Sequence, residues 1–123
     1  MIKSQKYCNL LQALLIFTLE VYVYLNKGVI IMEYTRRHRG VCSRASYVEL
    51  DENGVIVNAK IIGGCDGNTR GLAQIVTGLP ATFVIEKWKG TPCMFKPTSC
   101  PDQFAITIEE ALKQLEAEKA AKA

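Results

Sequence analysis

Five cysteines stand in this chain of 123 residues: Cys8, Cys42, Cys65, Cys93 and Cys100. Four of them share a setting. Cys42 precedes a strand-like stretch, Cys65 sits inside the glycine-rich "GGCDGN", and Cys93 and Cys100 close the two ends of "CMFKPTSC". Thiolates are soft ligands, and four of them drawn from three distant segments would suit tetrahedral zinc or an iron-sulfur cluster. No CxxC pair is present, so the spacing is not that of a zinc ribbon. The same thiols could instead cycle between dithiol and disulfide, with Cys93 and Cys100 as the pair.

Cys100 has a further property. The "SCPD" break around it reads as the start of a helix, with Pro101 at the first helical position, where a missing amide hydrogen is not needed. Unpaired amides and the positive end of the helix dipole would then stabilise a thiolate at Cys100. The competing reading is a small buried residue beside a cap supplied by Ser99 or Thr98. Asp66 and Asp102 each adjoin a candidate thiolate and could act as an extra ligand or as an acceptor behind the ligands. Solvated loop aspartates are the alternative. Arg44 and Lys96 lie close enough in sequence to offset the charge of a four-thiolate site. His38, the single histidine, is near Cys42 but within the basic run "RRHR", where an exposed side chain is expected.

These residues need elements to position them. "ASYVELDENGVIVNAKII" reads as a hairpin of strands 45–50 and 55–62, with Asn53-Gly54 supplying left-handed backbone at the turn. From Asn68 or Thr69, Leu72, Ile75, Val76 and Leu79 recur at helical spacing, until Gly78 and Pro80 end the pattern. Thr82 can cap a second short helix, "FVIEKWK", with Trp88 on its apolar face. A long last helix buries Phe104, Ile108, Ala111, Leu112 and Leu115 on one side. Strands first and helices after predict an α+β fold, a short antiparallel sheet packed against three helices.

Composition bounds the function. A chain this short, 49% hydrophobic and 22% charged, has room for one modest core, which excludes a multi-domain enzyme. No Ser/His/Asp arrangement, P-loop or dinucleotide fingerprint is present, and no catalytic residue is assigned. The net charge is +3, and "RRHR" without interleaved aromatics reads as a solvated arm, so specific nucleic-acid binding is not expected. An odd cysteine count without a cleavable signal disfavours a secreted disulfide scaffold and favours a reducing, cytoplasmic setting.

The first thirty-one residues are treated as a separate unit from 32–123. Residues 10–25 are apolar but short of the roughly 20 that a spanning helix needs, and they include Gln12 and Glu20. Three readings stay open: an over-extended start ahead of Met32, a weak membrane anchor through residues 10–25, and a helix that packs on the core.

"GVCSR", "GGCDGN", "CMFKPTSCPDQFA" and the last helix closely resemble the TSCPD domain family, over about Tyr34 to Leu115. That family includes small stand-alone bacterial proteins and a domain near the carboxyl end of adenosylcobalamin-dependent ribonucleotide reductases. The resemblance implies that Cys42, Cys65, Cys93 and Cys100 are the family's cysteines and that Met32 is the start. It points to thioredoxin-dependent ribonucleoside-diphosphate reduction, and so to DNA synthesis, as the associated activity. A ribonucleotide reductase or another redox protein would be the partner. The order of cysteines, hairpin, helix, "WKG" turn and last helix is also similar to NifU-type iron-sulfur scaffold proteins, with Cys42, Cys65 and Cys100 on the scaffold cysteines and Asp66 near its aspartate. Here Cys93 is added and the scaffold's histidine before the last cysteine is missing. A closed four-thiolate site would hold metal more permanently than a scaffold, so the expectation is an accessory metal module, with zinc favoured over a cluster.

Overall fold

The computed structural model describes residues 31–122; the expectations for the apolar opening lie outside them, as does Cys8. Three strands form one antiparallel sheet in the order β1 (Met32–Arg37), β2 (Ser43–Leu50), β3 (Ile56–Gly63). Three helices follow: α1 (Asp66–Val76), α2 (Ala81–Trp88) and α3 (Cys100–Lys122). The chain is α+β, as expected. α1 packs on β3, α3 on β1 and β2, and α2 on α3, so all three helices cover the same face of the sheet.

The alternation of the strands explains that one-sidedness. Val48 and Leu50 of β2 face Ile56 and Ile61 of β3 and the Phe104, Ile108, Ala111 and Leu115 stripe of α3, and all of these are buried. Trp88 is half-buried at the edge of this cluster, its ring centroid 6.0 Å from that of Phe104. On the opposite face Tyr47 pairs across the sheet with Thr35 and Lys60 and is only partly covered.

The β2–β3 connection is the expected hairpin with different turn chemistry. Only Gly54 has left-handed backbone, at φ +77°. Asp51 does the rest: its carboxylate accepts the amide hydrogens of Asn53 and Val55, both at 2.9 Å. This is the longer, glycine-terminated type of hairpin loop rather than a two-residue one.

Strand β1 departs from the expected solvated arm. "MEYTRR" pairs in register with β2 from Met32 opposite Leu50 to Arg37 opposite Ala45. The basic run is divided by the pleat. Arg36 points under the helix layer, donates to Gln103 Oε1 at 2.8 Å and pairs with Glu110 at 3.4 Å. Arg37 faces out. The charges masked the alternation because the inward-facing arginine is neutralised by α3 instead of by solvent.

Candidate functional site

The glycine pair after β3 determines how the segments meet. Gly63 and Gly64 have φ +80° and +76°. A Cβ on Gly64 would lie 3.4 Å from Ser43 Cα and 3.5 Å from Cys42 Sγ. The end of β3 thus passes directly over the start of β2, and the left-handed backbone that only glycine adopts freely turns the chain there. Cys65, next in sequence, is the residue before α1, with φ −71° and ψ 111°. Helix α1 therefore begins at Asp66, ahead of the Asn68 or Thr69 start expected.

On the other side, Ser99 precedes α3, and its Oγ accepts the Asp102 amide hydrogen at 3.2 Å. That serine cap makes Cys100 the first residue of the helix and Pro101 the second, one place later than expected. Helix α2 likewise starts earlier than Thr82, after Pro80. Cys93 is at the base of a tight turn: its amide donates to the Lys96 carbonyl at 3.2 Å, and the Lys96 amide to its own at 2.9 Å. Met94 and Phe95 at the tip of that turn are 89% and 99% exposed, and Met94 has left-handed φ, 52°.

Cys42, Cys65, Cys93 and Cys100 together line one cavity of about 650 Å3, whose remaining wall includes Thr69, Leu72, Ile75 and Pro101. Within it the Cys42 and Cys100 sulfurs are 3.4 Å apart. A disulfide would need about 2.05 Å, and two sulfurs on one tetrahedral zinc stand about 3.8 Å apart if each Zn–S bond is about 2.3 Å. The approach is that of two thiols in contact, and all four cysteines are free. Among the described residues no group of three or more Cys, His, Asp or Glu side chains stands close enough to hold a metal ion. The donor chemistry fits a soft metal. In position, one pair is in contact and the other two thiols share the cavity.

The pair is electrostatically unequal. Burial pushes the Cys100 thiol up, but hydrogen bonds from Ser43 and from Cys42 outweigh it, and the net shift is downward. Cys42 is pushed up, chiefly because its proton is held in the hydrogen bond to Cys100. Cys100 is thus the more acidic partner, in keeping with its position at a helix N-terminus.

The flanking residues divide. Asp102 is buried; it accepts the Gly90 amide hydrogen at 2.6 Å and the Thr98 hydroxyl, tying the α2 end and the "PTS" segment to α3. Asp66 is exposed and pairs with Arg70 at 3.1 Å. Arg44 and Lys96 are exposed. Arg44 lies in the irregular register at the start of β2, against Gly63.

His38 is the residue misjudged from sequence. It is 9% exposed, with Nδ1 2.6 Å from Ser43 Oγ and Nε2 2.8 Å from Ser46 Oγ. Burial and the nearby Arg36 charge lower its pKa to about 4. The cue in the sequence was the "HRGVCSRAS" run, in which two serines follow at hairpin distance.

A family model for the TSCPD domain matches residues 24–114. The chain belongs to the TSCPD domain family. That relates it to the domain of the same name in ribonucleotide reductases, and the matched stretch begins upstream of Met32. Comparisons with curated proteins and with solved structures returned no match. No helix among the described residues is long and apolar enough to cross a membrane.

Proposed function

We propose that this TSCPD domain is a four-thiol metal-binding accessory module that works beside a ribonucleotide reductase or another redox protein, and through it in deoxyribonucleotide and DNA synthesis. The supporting observation is the convergence of Cys42, Cys65, Cys93 and Cys100, from three separated segments, on one cavity. Zinc is favoured over an iron-sulfur cluster as the ligand, and a shell closed by four thiolates would hold the metal in place rather than pass it on as a cluster scaffold does. A bound metal would act as a clamp, joining the start of β2, the start of α1 and the loop before α3. The residues of the chain supply the rest: the glycine pair crosses β2, the serine cap fixes Cys100, and Asp102 anchors the loop that carries Cys93.

Metal analysis of anaerobically purified protein tests this. One zinc, or iron with matching sulfide, per chain is expected. No metal, with all four thiols freely titratable, would refute the reading.

The 3.4 Å approach of Cys42 to Cys100 favours a second reading, thiol–disulfide exchange, on a pair different from Cys93 and Cys100. The Cys100 thiolate would attack a disulfide of a partner protein, forming a mixed disulfide and releasing one thiolate. Cys42, after losing its proton to solvent, would then attack the Cys100 sulfur and release the second. The partner's disulfide is reduced to two thiols and the Cys42–Cys100 pair is oxidised; a second dithiol protein must reset it. Aerobic purification followed by peptide mapping separates the readings, since only this one expects a Cys42–Cys100 disulfide in metal-free protein.

A further inference from the structure

Gln103, in the first turn of α3, is 6% exposed, and its side-chain amide is committed at both ends. On the oxygen side, Oε1 accepts from the Arg36 guanidinium at 2.8 Å and from the Arg39 main-chain amide at 3.2 Å. Both of those groups can only donate, so an oxygen is required there. On the other side, Nε2 stands 2.8 Å from Thr98 Oγ1. Thr98 gives its single proton to the Asp102 carboxylate, which also takes the Gly90 amide hydrogen at 2.6 Å. Toward Gln103 the Thr98 hydroxyl is therefore an acceptor, and a nitrogen donor is required there. A carboxamide meets both demands. A carboxylate of the same length meets one, and an apolar side chain neither.

The two ends of this amide hold the two segments from which the contacting thiols emerge. Arg39 lies in the β1–β2 turn, three residues before Cys42, and Thr98 lies two residues before Cys100. The segments also touch directly: at Gly40, φ +72°, a Cβ would stand 3.6 Å from Thr98 Cγ2. Beyond them the Cys42 and Cys100 sulfurs approach to 3.4 Å. We infer that Gln103 is the positioning residue of the thiol centre, clasping the turn that carries Cys42 to the segment that carries Cys100. Without the amide the two segments can shift past each other, and the effective concentration of one sulfur at the other falls. The inference deepens the thiol-site reading and rests on it in taking Cys42 and Cys100 as the working sulfurs.

The test uses the full-length chain, metal-free, in glutathione redox buffers of stepped ratio. Cys42 and Cys100 give up two electrons and two protons as their disulfide forms, and glutathione disulfide takes them to become two glutathione thiols. Acid quenching and peptide mapping give the equilibrium constant of that pair, which measures how closely the fold holds the two sulfurs. Gln103→Glu keeps the acceptor for Arg36 and Arg39 but loses the donor to Thr98, and Thr98→Val loses the same link from its other end. Each should lower the constant about five- to tenfold, the worth of one buried hydrogen bond. The Gln103→Glu/Thr98→Val double variant should be no lower than either single one, because both break one link. Gln103→Met, which breaks both ends, should lower the constant at least as far. It should also speed hydrogen exchange at the Arg39 amide, which Gln103→Glu should not. Leu115→Ala, far along α3, should destabilise the fold without moving the constant of the folded chain by more than about twofold, as for distant sites; Ile108→Val takes its place if that chain does not fold. An unchanged constant in Gln103→Glu, additive effects in the double variant, an equal shift in the core variant, or no Cys42–Cys100 disulfide in the wild-type chain would each overturn the inference. Absence of zinc from the purified chain, with the constant still sensitive to Gln103, would refute the metal reading alone.

Discussion

Along α3, side chains only a few residues apart meet different surroundings. Phe104, Ile108 and Leu115 are at most 1% exposed against β2 and β3, whereas Cys100, one turn before Phe104, is half-buried beside three exposed cysteines. The first region is held by apolar burial from every direction. The second is held by main-chain turns, one serine cap and a polar chain ending at His38. Stability should reside in the first and chemistry in the second, with the glycine pair and His38 at the boundary.

The largest effect should come from the core. Phe104→Ala removes a ring that is 0% exposed and packs on Trp88, and a loss of about 3–5 kcal/mol is expected from transfer and cavity terms together. Urea denaturation measures it. The folded fraction should still capture phenylarsine oxide, an arsenical whose arsenic bridges two adjacent thiols with loss of one water, at the wild-type rate. If it does not, the two regions are not separable.

Second in size is the pH dependence of His38. Its folded-state pKa is about 4, against 6.5 for the free side chain. Between these values the unfolded chain binds a proton that the folded one refuses, so stability is full above about pH 6.5 and declines as pH falls toward 4. The loss approaches about 3 kcal/mol. Glu109, whose carboxyl is held low mainly by its hydrogen bond from Lys89, contributes over a lower range. His38→Asn should therefore flatten the curve between about pH 4 and 6.5 only, which denaturation at stepped pH would show.

What the sequence made legible follows the same division. The hairpin, the three helices and the α3 stripe follow from periodicity, because burial on one side leaves a pattern in residue type. The convergence of four thiols could be anticipated from their loop positions and from family resemblance. Three features could not. β1 carries charges on both faces because Arg36 is neutralised by Glu110, a contact 74 positions away. His38 is satisfied by serines whose role depends on β2 register. The contact partner of Cys100 is Cys42 rather than Cys93, because Gly63 and Gly64 bring β3 across the start of β2. Each depends on tertiary pairing, which leaves no local period.

Gly64 offers a smaller test of that crossing. At φ +76° an alanine is strained, although its Cβ would meet Ser43 and Cys42 only at ordinary contact distances. Gly64→Ala should cost about 1–2 kcal/mol, the left-handed penalty for a residue with a Cβ. Because the backbone relaxes by shifting the Cys65 segment, metal retention should weaken as well. A stability loss with unchanged metal affinity would mean that the crossing supports the fold and not the thiols.

The smallest stability effect should come from Cys100→Ser, and it draws the contrast most sharply. The serine would sit at the first position of α3 with the Ser99 cap untouched, since the bond that matters there is the Asp102 amide to Ser99 Oγ. The residue is only half-buried, and a hydroxyl can occupy the same space and still meet Ser43. In metal-free protein the change should stay within about 0.5 kcal/mol, as for a surface substitution. Zinc retention and arsenical capture should both be abolished, because a hydroxyl is a poor ligand for soft metals and leaves Cys42 without a second sulfur. A core-sized destabilisation would place Cys100 with Phe104, in the part of α3 that holds the fold together. Stoichiometric metal in the variant would mean that Cys100 is structural and that other residues build the site.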